Sequence, residues 1–259
     1  MLGMLYQANH LHEQAAQCYR LAMDLSPSAA EWPYLLVMVC EASGSGEAMG
    51  DLLRTVLRLS PDDLSARVKL GDLLLKQGDL ASAEQEYRRC VDQSPREVHA
   101  LLGLARVAVE RKRWQQAEDC LRQTVEIDPR FGAGHRLLAT VYDAMGDPER
   151  AAMSRTRAQW CGRFRTMPDP WVARLDDLCY DPMYLMVRAD TARGDAEKHL
   201  ALLYRAIEVA PDDARPYSVL AKALRDRNNL AAALQYARRA VELDPNNEDA
   251  VNGLGFFLW

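Results

Sequence analysis

Residues 64–95 read LSARVKLGDLLLKQGDLASAEQEYRRCVDQSP, and the spacing within this stretch decides the fold. Apolar side chains recur every three or four residues, the period that gathers them on one face of an α-helix. Ala66, Leu70, Gly71 and Leu74 share a face of a first helix. Leu80, Ala83, Tyr87, Cys90 and Val91 share a face of a second. Gln77-Gly78-Asp79 interrupts the pattern where glycine tolerates positive φ, and Pro95 stops the second helix because it lacks an N–H and clashes with the preceding turn. The stretch is predicted to be a helical hairpin.

The hairpin recurs. Pro27, Pro61, Pro95 and Pro129 stand 34 residues apart, as do Pro211 and Pro245. Aspartate or asparagine follows several of them, at Asp62-Asp63, Asp212-Asp213 and Asn246-Asn247, poised to cap the next helix. Small residues recur in register. Position 8 of the unit holds Gly3, Val37, Gly71, Ala105, Ala139, Val187, Ala221 and Gly255, and position 20 holds Ala15, Met49, Ala83, Ala117, Ala151, His199 and Ala233. Position 27 holds Ala22, Val56, Cys90, Thr124, Ala158, Ala206 and Ala240. Small residues on facing helices permit close approach of the axes. A unit of this length cannot bury a core alone, so neighbouring units must stack.

Leu70-Gly71, Leu74, Ala83, Tyr87 and Pro95 resemble the tetratricopeptide repeat (TPR) pattern of Leu-Gly-x-x-Tyr, Ala-x-x-x-Phe and Pro. That resemblance implies an all-α, right-handed superhelical solenoid of antiparallel helix pairs. Seven repeats and the start of an eighth are expected, the first lacking its opening turn. The second, Ala30 to Asp63, carries larger residues at the small positions. The sixth, Tyr180 to Asp213, carries His199 at position 20, expected to be a hydrogen-bonded packing residue.

From Arg163, which stands where the fifth repeat's proline belongs, to Pro211 is an interval of 48 residues, 14 more than one repeat. The surplus contains Met167-Pro168-Asp169-Pro170-Trp171, in which Asp169 is placed to cap a short helix with Trp171, Leu175 and Leu178 on one face. The expected organisation is repeats 1–5 over 1–162, an inserted segment with a short helix over 163–179, and over 180–259 repeats 6 and 7 with the first helix of repeat 8. The short helix is expected to plug the seam between two sub-arrays, with Trp171 as a packing anchor. Pro168-Asp169-Pro170-Trp171 and Tyr180-Asp181-Pro182 look like insertions in the arrays of some large exported bacterial proteins. This points to a bacterial source.

Composition narrows the function. The 259 residues carry a formal net charge of −5, which offers no general attraction to nucleic acid. No apolar run approaches the roughly 18 residues of a membrane span. Six scattered cysteines form no Cys-x-x-Cys pair, and Cys40, Cys90 and Cys161 fall at core positions as small fillers. With no signal peptide at the N-terminus, these thiols favour the cytoplasm, whereas the likeness to exported arrays favours the opposite. No nucleophile elbow, zinc-binding His-Glu-x-x-His or Walker loop is present, so no catalytic residue, metal or cofactor is expected. Gly44-Ser45-Gly46 with Gly50 reads as a flexible turn rather than a phosphate loop, and His10 and His12 as solvent-facing turn residues.

Binding is the expected function. In the TPR family the first helices line a concave groove, and positions 2, 5, 9, 12 and 13 face the ligand. Carried onto this chain, these positions give an apolar entrance with Tyr34, Met38, Val68, Asp72, Leu75, Leu102 and Val109. Beyond it come Arg106, Arg136, Arg188, Arg215, Lys222 and Arg225, a basic track, with Thr140 as a further groove position beside Arg136. The expected partner is another protein or a peptide, extended or helical, with an acidic segment. The opposing expectation is that these cations pair with acids on neighbouring helices. The lysine–asparagine clamp of chaperone-binding TPR modules is missing, since positions 5 and 9 read Val68 and Asp72, or Arg136 and Thr140, and so on. Phe256, Phe257, Leu258 and Trp259 would leave an apolar end without the polar cap that arrays require. Two rival readings follow: the non-catalytic targeting arm of a larger enzyme, such as a TPR-linked glycosyltransferase, or a module that self-associates through its ends.

Overall fold

The structure is a computed structural model that describes residues 1–44, 49–161, 167, 169, 171, 174–175 and 178–256. Ser45, Gly46, Arg163, Phe257, Leu258 and Trp259 lie outside the described residues. Fifteen helices and no strand occur among the described residues. In chain order they are α1 (Leu2–Ala8), α2 (His12–Leu25), α3 (Glu31–Ser43), α4 (Met49–Leu59), α5 (Leu64–Lys76), α6 (Leu80–Gln93), α7 (Val98–Glu110) and α8 (Trp114–Ile127). Then follow α9 (Gly132–Ala144), α10 (Pro148–Trp160), α11 (Pro182–Thr191), α12 (Ala196–Val209), α13 (Ala214–Arg225), α14 (Leu230–Leu243) and α15 (Glu248–Gly255).

Helix boundaries follow the capping residues. Asp63 Oδ1 accepts from Ala66 N at 2.9 Å, Asp79 from Ser82 N at 3.1 Å and Asn247 from Ala250 N at 3.1 Å. Each satisfies an N–H that the first turn leaves unpaired. Gly78 turns the chain between α5 and α6 at φ +81°.

The chain forms two compact units, one of Met1–Leu11 with Val172–Trp259, the other of His12–Trp171. In the His12–Trp171 unit each helix packs on the next, and first helices also touch first helices, α5 with α7 and α7 with α9. That is how stacked repeats make a continuous face. The small positions sit in the contacts: Ala15, Ala83, Ala117, Ala151, Val56, Cys90 and Thr124 are all fully buried. Tyr87 shows why glycine is needed beside them. A Cβ on Gly71 would lie 2.6 Å from its ring and one on Gly103 2.3 Å, so the ring is held between two glycine surfaces.

In the other unit α11 packs on α12, α13 on α12 and α14, and α15 on both α13 and α14. The side chain of Asn9, just after α1, ties the segment before α11. It donates to Leu178 O at 3.2 Å and accepts from Tyr180 N at 2.9 Å. His10 is a partner rather than a bare turn residue, with Nε2 3.4 Å from Asp181 Oδ2 and its ring edge-on to Tyr184. His199 is buried, its Nδ1 2.6 Å from Ala189 O, as a packing residue should be.

Val187 departs from the expected register. It is 56% exposed, whereas Leu185 and Ala189 are fully buried. The turn from Ala192 to Asp195 is one residue longer than that from Gln77 to Asp79. Counting back through it shifts every position of α11 by one. Arg188 therefore stands one place beyond the position that the uniform repeat assigns it.

Candidate functional site

The apolar entrance lies on the first helices α3, α5 and α7, and it is already covered. Tyr34 is 1% exposed, Val68 7% and Leu102 2%. Leu102 belongs to the core rather than to an open groove, in one cluster with Phe131, Leu138 and Tyr142 against which Val109 packs. Tyr34 and Val68 have another cover. Met167 packs on the cluster of Val68, Cys90 and Ala100, and Trp171 packs on the cluster that contains Tyr34, Val37, Leu70 and Leu74. Met38 and Leu75 border that same cluster.

Between the two anchors the Tyr34 hydroxyl donates to Asp169 Oδ2, while Asp169 Oδ1 accepts from Trp171 N at 3.0 Å. Asp169 thus caps the helical turn that includes Trp171, Arg174 and Leu175, as its position before Pro170 predicts. Burial pushes the Tyr34 phenol well above its ordinary range, and the Asp169 carboxylate beside it adds to the effect. Burial likewise raises the Asp63 carboxyl, opposed by the Ala66 N–H and reinforced by the charge of Asp169. Three residues at alternate positions of the insertion therefore occupy the face expected to hold a peptide.

Asp72 has a structural task. It accepts from the Tyr87 hydroxyl at 2.8 Å and lies 3.5 Å from Arg106 Nη1 in the next repeat. The other cations divide. Arg215 forks onto Asp213, with Nε 2.9 Å from Oδ1 and Nη2 2.6 Å from Oδ2, holding that carboxyl below its usual range. Lys222 meets Asp249 at 2.6 Å, and Arg225 meets Asp226 at 3.0 Å while its guanidinium lies over the Phe256 ring. Arg188 is half-buried. Arg136 differs: it is exposed and has no ion-pair partner among the described residues. With Thr140, Asp143 and Arg155 it lines an open cleft of about 320 Å³ between α9 and α10. Asp143 is engaged by Arg155. These surface pairs are each worth about 0–1 kcal/mol, so a stronger ligand charge displaces them readily.

Sequence reasoning singled out Trp171 and the capping role of Asp169 but missed the Tyr34–Asp169 bond and the seat of Met167. The available signal was the alternation of Met, Asp and Trp with prolines between them. All six cysteines are free thiols; Cys40, Cys90 and Cys179 are buried and Cys161 is half-buried. Among the described residues there is no group of three or more metal-ligating side chains, and no helix long and apolar enough to cross a membrane.

Family models of the tetratricopeptide repeat match residues 1–28, 74–141 and 184–248, together more than half of the chain. Bacteriophage adsorption protein A of Escherichia coli (strain K12) is 31% identical over 123 residues, which make up 46% of this chain and 12% of that protein. The match thus spans about an eighth of the relative's length. Among solved structures, MamA AMB-1 is similar with a TM-score of 0.52 and 19% identity over 61% of this chain and 93% of its own. MamA MSR-1 gives 0.51 and 18% over 61% and 91%. At such identities the likeness concerns the fold, an all-α array of helix pairs. The repeat spacing, the ring-in-glycine packing and the matching family models agree: this chain belongs to the tetratricopeptide repeat family.

Proposed function

We propose that the chain is a non-catalytic scaffold that holds a peptide of a partner protein along the first-helix face of its repeats. One observation supports this reading: Met167 packs on the cluster of Val68, Cys90 and Ala100, Trp171 packs on the cluster that contains Tyr34, and between them Asp169 accepts from the Tyr34 hydroxyl, two apolar seats and one hydrogen-bond donor. Helical-repeat faces recognise peptides through such spaced pockets. Arg136, exposed beside its cleft, extends the preference toward acidic sequence, because a guanidinium without an internal partner is available for a carboxylate.

The test is selection of peptides from a displayed random library on the full chain, followed by binding measurements. Arg136→Glu should weaken the selected acidic peptides by roughly tenfold, the scale of one charge-assisted hydrogen bond. Arg122→Glu, exposed on the second helix α8, should leave them unchanged. Equal losses would defeat the role given to Arg136, and a library yielding no binder, on this chain or on one with Met167 and Trp171 replaced by serine, would defeat the scaffold reading. Arg67 is no control, since its guanidinium pairs with Glu86 at 3.0 Å and both side chains are nearly buried. Its reversal would disturb the fold.

A second reading takes support from the bacterial relative matched over 12% of its length: the array serves as a recognition arm of a larger bacterial protein. The intact mass of the endogenous polypeptide tests it. A mass well above 29.2 kDa supports the arm, and a mass at that value removes it.

A further inference from the structure

The seat of residues 167–171 carries more than the existence of a groove. Three alternate side chains enter it, each meeting a different chemistry. Met167 rests on Val68 and its neighbours, Asp169 accepts from the buried Tyr34 hydroxyl, and Trp171 rests on the cluster around Tyr34. Met167 and Asp169 each precede a proline, which confines both to extended backbone before any binding occurs. An extended ligand with its conformation already restricted loses little entropy on docking.

We propose that this segment is a built-in competitor that displays what the groove reads: an unbranched apolar side chain and, two residues on, a short acceptor side chain, both on extended backbone, then an aromatic two residues further that opens a helical turn. The inference rests on the scaffold reading above and adds its sequence specificity and its regulation. The segment follows α10 in the same chain, so its effective concentration at the groove is on the order of millimolar. If the tethered segment itself has an intrinsic dissociation constant of about 10 µM, an external peptide then binds about 100-fold more weakly than it would to an empty groove. The partner must carry this pattern and exceed the tethered copy in affinity or local concentration.

The probe is a fluorescent synthetic peptide with the sequence of residues 165–173, titrated against full-length protein by anisotropy. Wild type should bind it poorly. The triple variant Met167→Ser, Asp169→Ser, Trp171→Ser should bind it about 100-fold more tightly. Single replacements of Met, Asp or Trp by Ala within the peptide should each cost about tenfold on that variant. A milder variant, Asp169→Ala, leaves both apolar anchors in place and serves if the triple variant misfolds; it should raise the apparent affinity of the unaltered peptide by about tenfold.

Equal affinity for wild type and for a folded variant overturns the competitor. Binding that is indifferent to Asp and Trp in the peptide overturns the pattern. Concentration-dependent pairing of the triple variant with wild-type protein, with no gain in peptide affinity, would mean that the segment serves a second copy and would overturn the intramolecular proposal. If the triple variant selects library peptides of another pattern, the motif fails while the scaffold stands. If it selects none, both fall.

Discussion

Replacing Gly103 by alanine sets two effects of opposite sign against each other. Gly103 lies inside α7, where alanine ordinarily stabilises a helix by about 1 kcal/mol. Here the new methyl would sit 2.3 to 2.5 Å from three atoms of the Tyr87 ring, more than 1 Å inside ordinary contact. The ring has nowhere to go. It is fully buried, its hydroxyl is bonded to Asp72 at 2.8 Å, and its other face already fills the space where a Gly71 side chain would stand. Overpacking of this kind costs about 1–3 kcal/mol, and here it belongs at the upper end because the neighbour is a braced ring rather than a flexible tip. The expected net loss is about 1–2 kcal/mol, read as a lower denaturant midpoint by far-UV circular dichroism. Gly253→Ala in α15, where a methyl meets open space, should instead stabilise by up to about 1 kcal/mol. In a Tyr87→Leu background the Gly103→Ala change should become neutral or stabilising, because the obstructing ring is gone. A Gly103→Ala variant as stable as wild type, or one whose cost persists without the ring, would refute the packing account.

Two further outcomes probe the titratable groups. Cys90 is fully buried and burial pushes its thiol up to about 12, so a thiol reagent at pH 8 should modify the half-buried Cys18 and Cys161 first. Peptide mass mapping should find Cys90 protected until the protein unfolds, and early modification of Cys90 would contradict its placement. Asp213 is held below its usual range by the Arg215 fork, so its folded value lies below its unfolded one. Its stabilisation is present above about pH 4 and is lost as pH falls through the folded value. Asp213→Asn keeps an N-cap acceptor but removes the charge. The variant should lie below wild type by about 1 kcal/mol or less at pH 7, since Arg215 is half exposed, and should converge with it as pH falls below about 4 in thermal melts. A gap that stays constant with pH would rule out the linkage.

The repeat was legible because its signals are local. Asp63, Asp213 and Asn247 cap helices two residues after prolines, and Ala83, Ala117 and Ala151 recur where two helices must touch, so each can be read within one 34-residue window. Reading failed where the window ended. Val187 was misplaced because a turn of four residues and one of three look alike in composition, yet each added residue rotates the next helix face by about 100°. The pairing of Arg215 with Asp213 and of Lys222 with Asp249 depends on which rotamer each long side chain adopts, which periodicity does not encode. The seat of Met167, Asp169 and Trp171 was the hardest to foresee. A segment inserted once has no repeat register, and Tyr34 is 135 residues away in sequence from the carboxylate it holds. What the sequence did supply was half of a complementary pair: groove positions chosen by the repeat, and an alternating Met-Pro-Asp-Pro-Trp whose prolines confine Met167 and Asp169 to extended backbone. Their union follows from chemistry, since a stretch with two large apolar side chains is least costly where it covers an apolar face that the repeat leaves unpartnered. In an array of this kind, a non-repeating insertion rich in proline and aromatic residues is therefore the first place to look for a groove's own occupant.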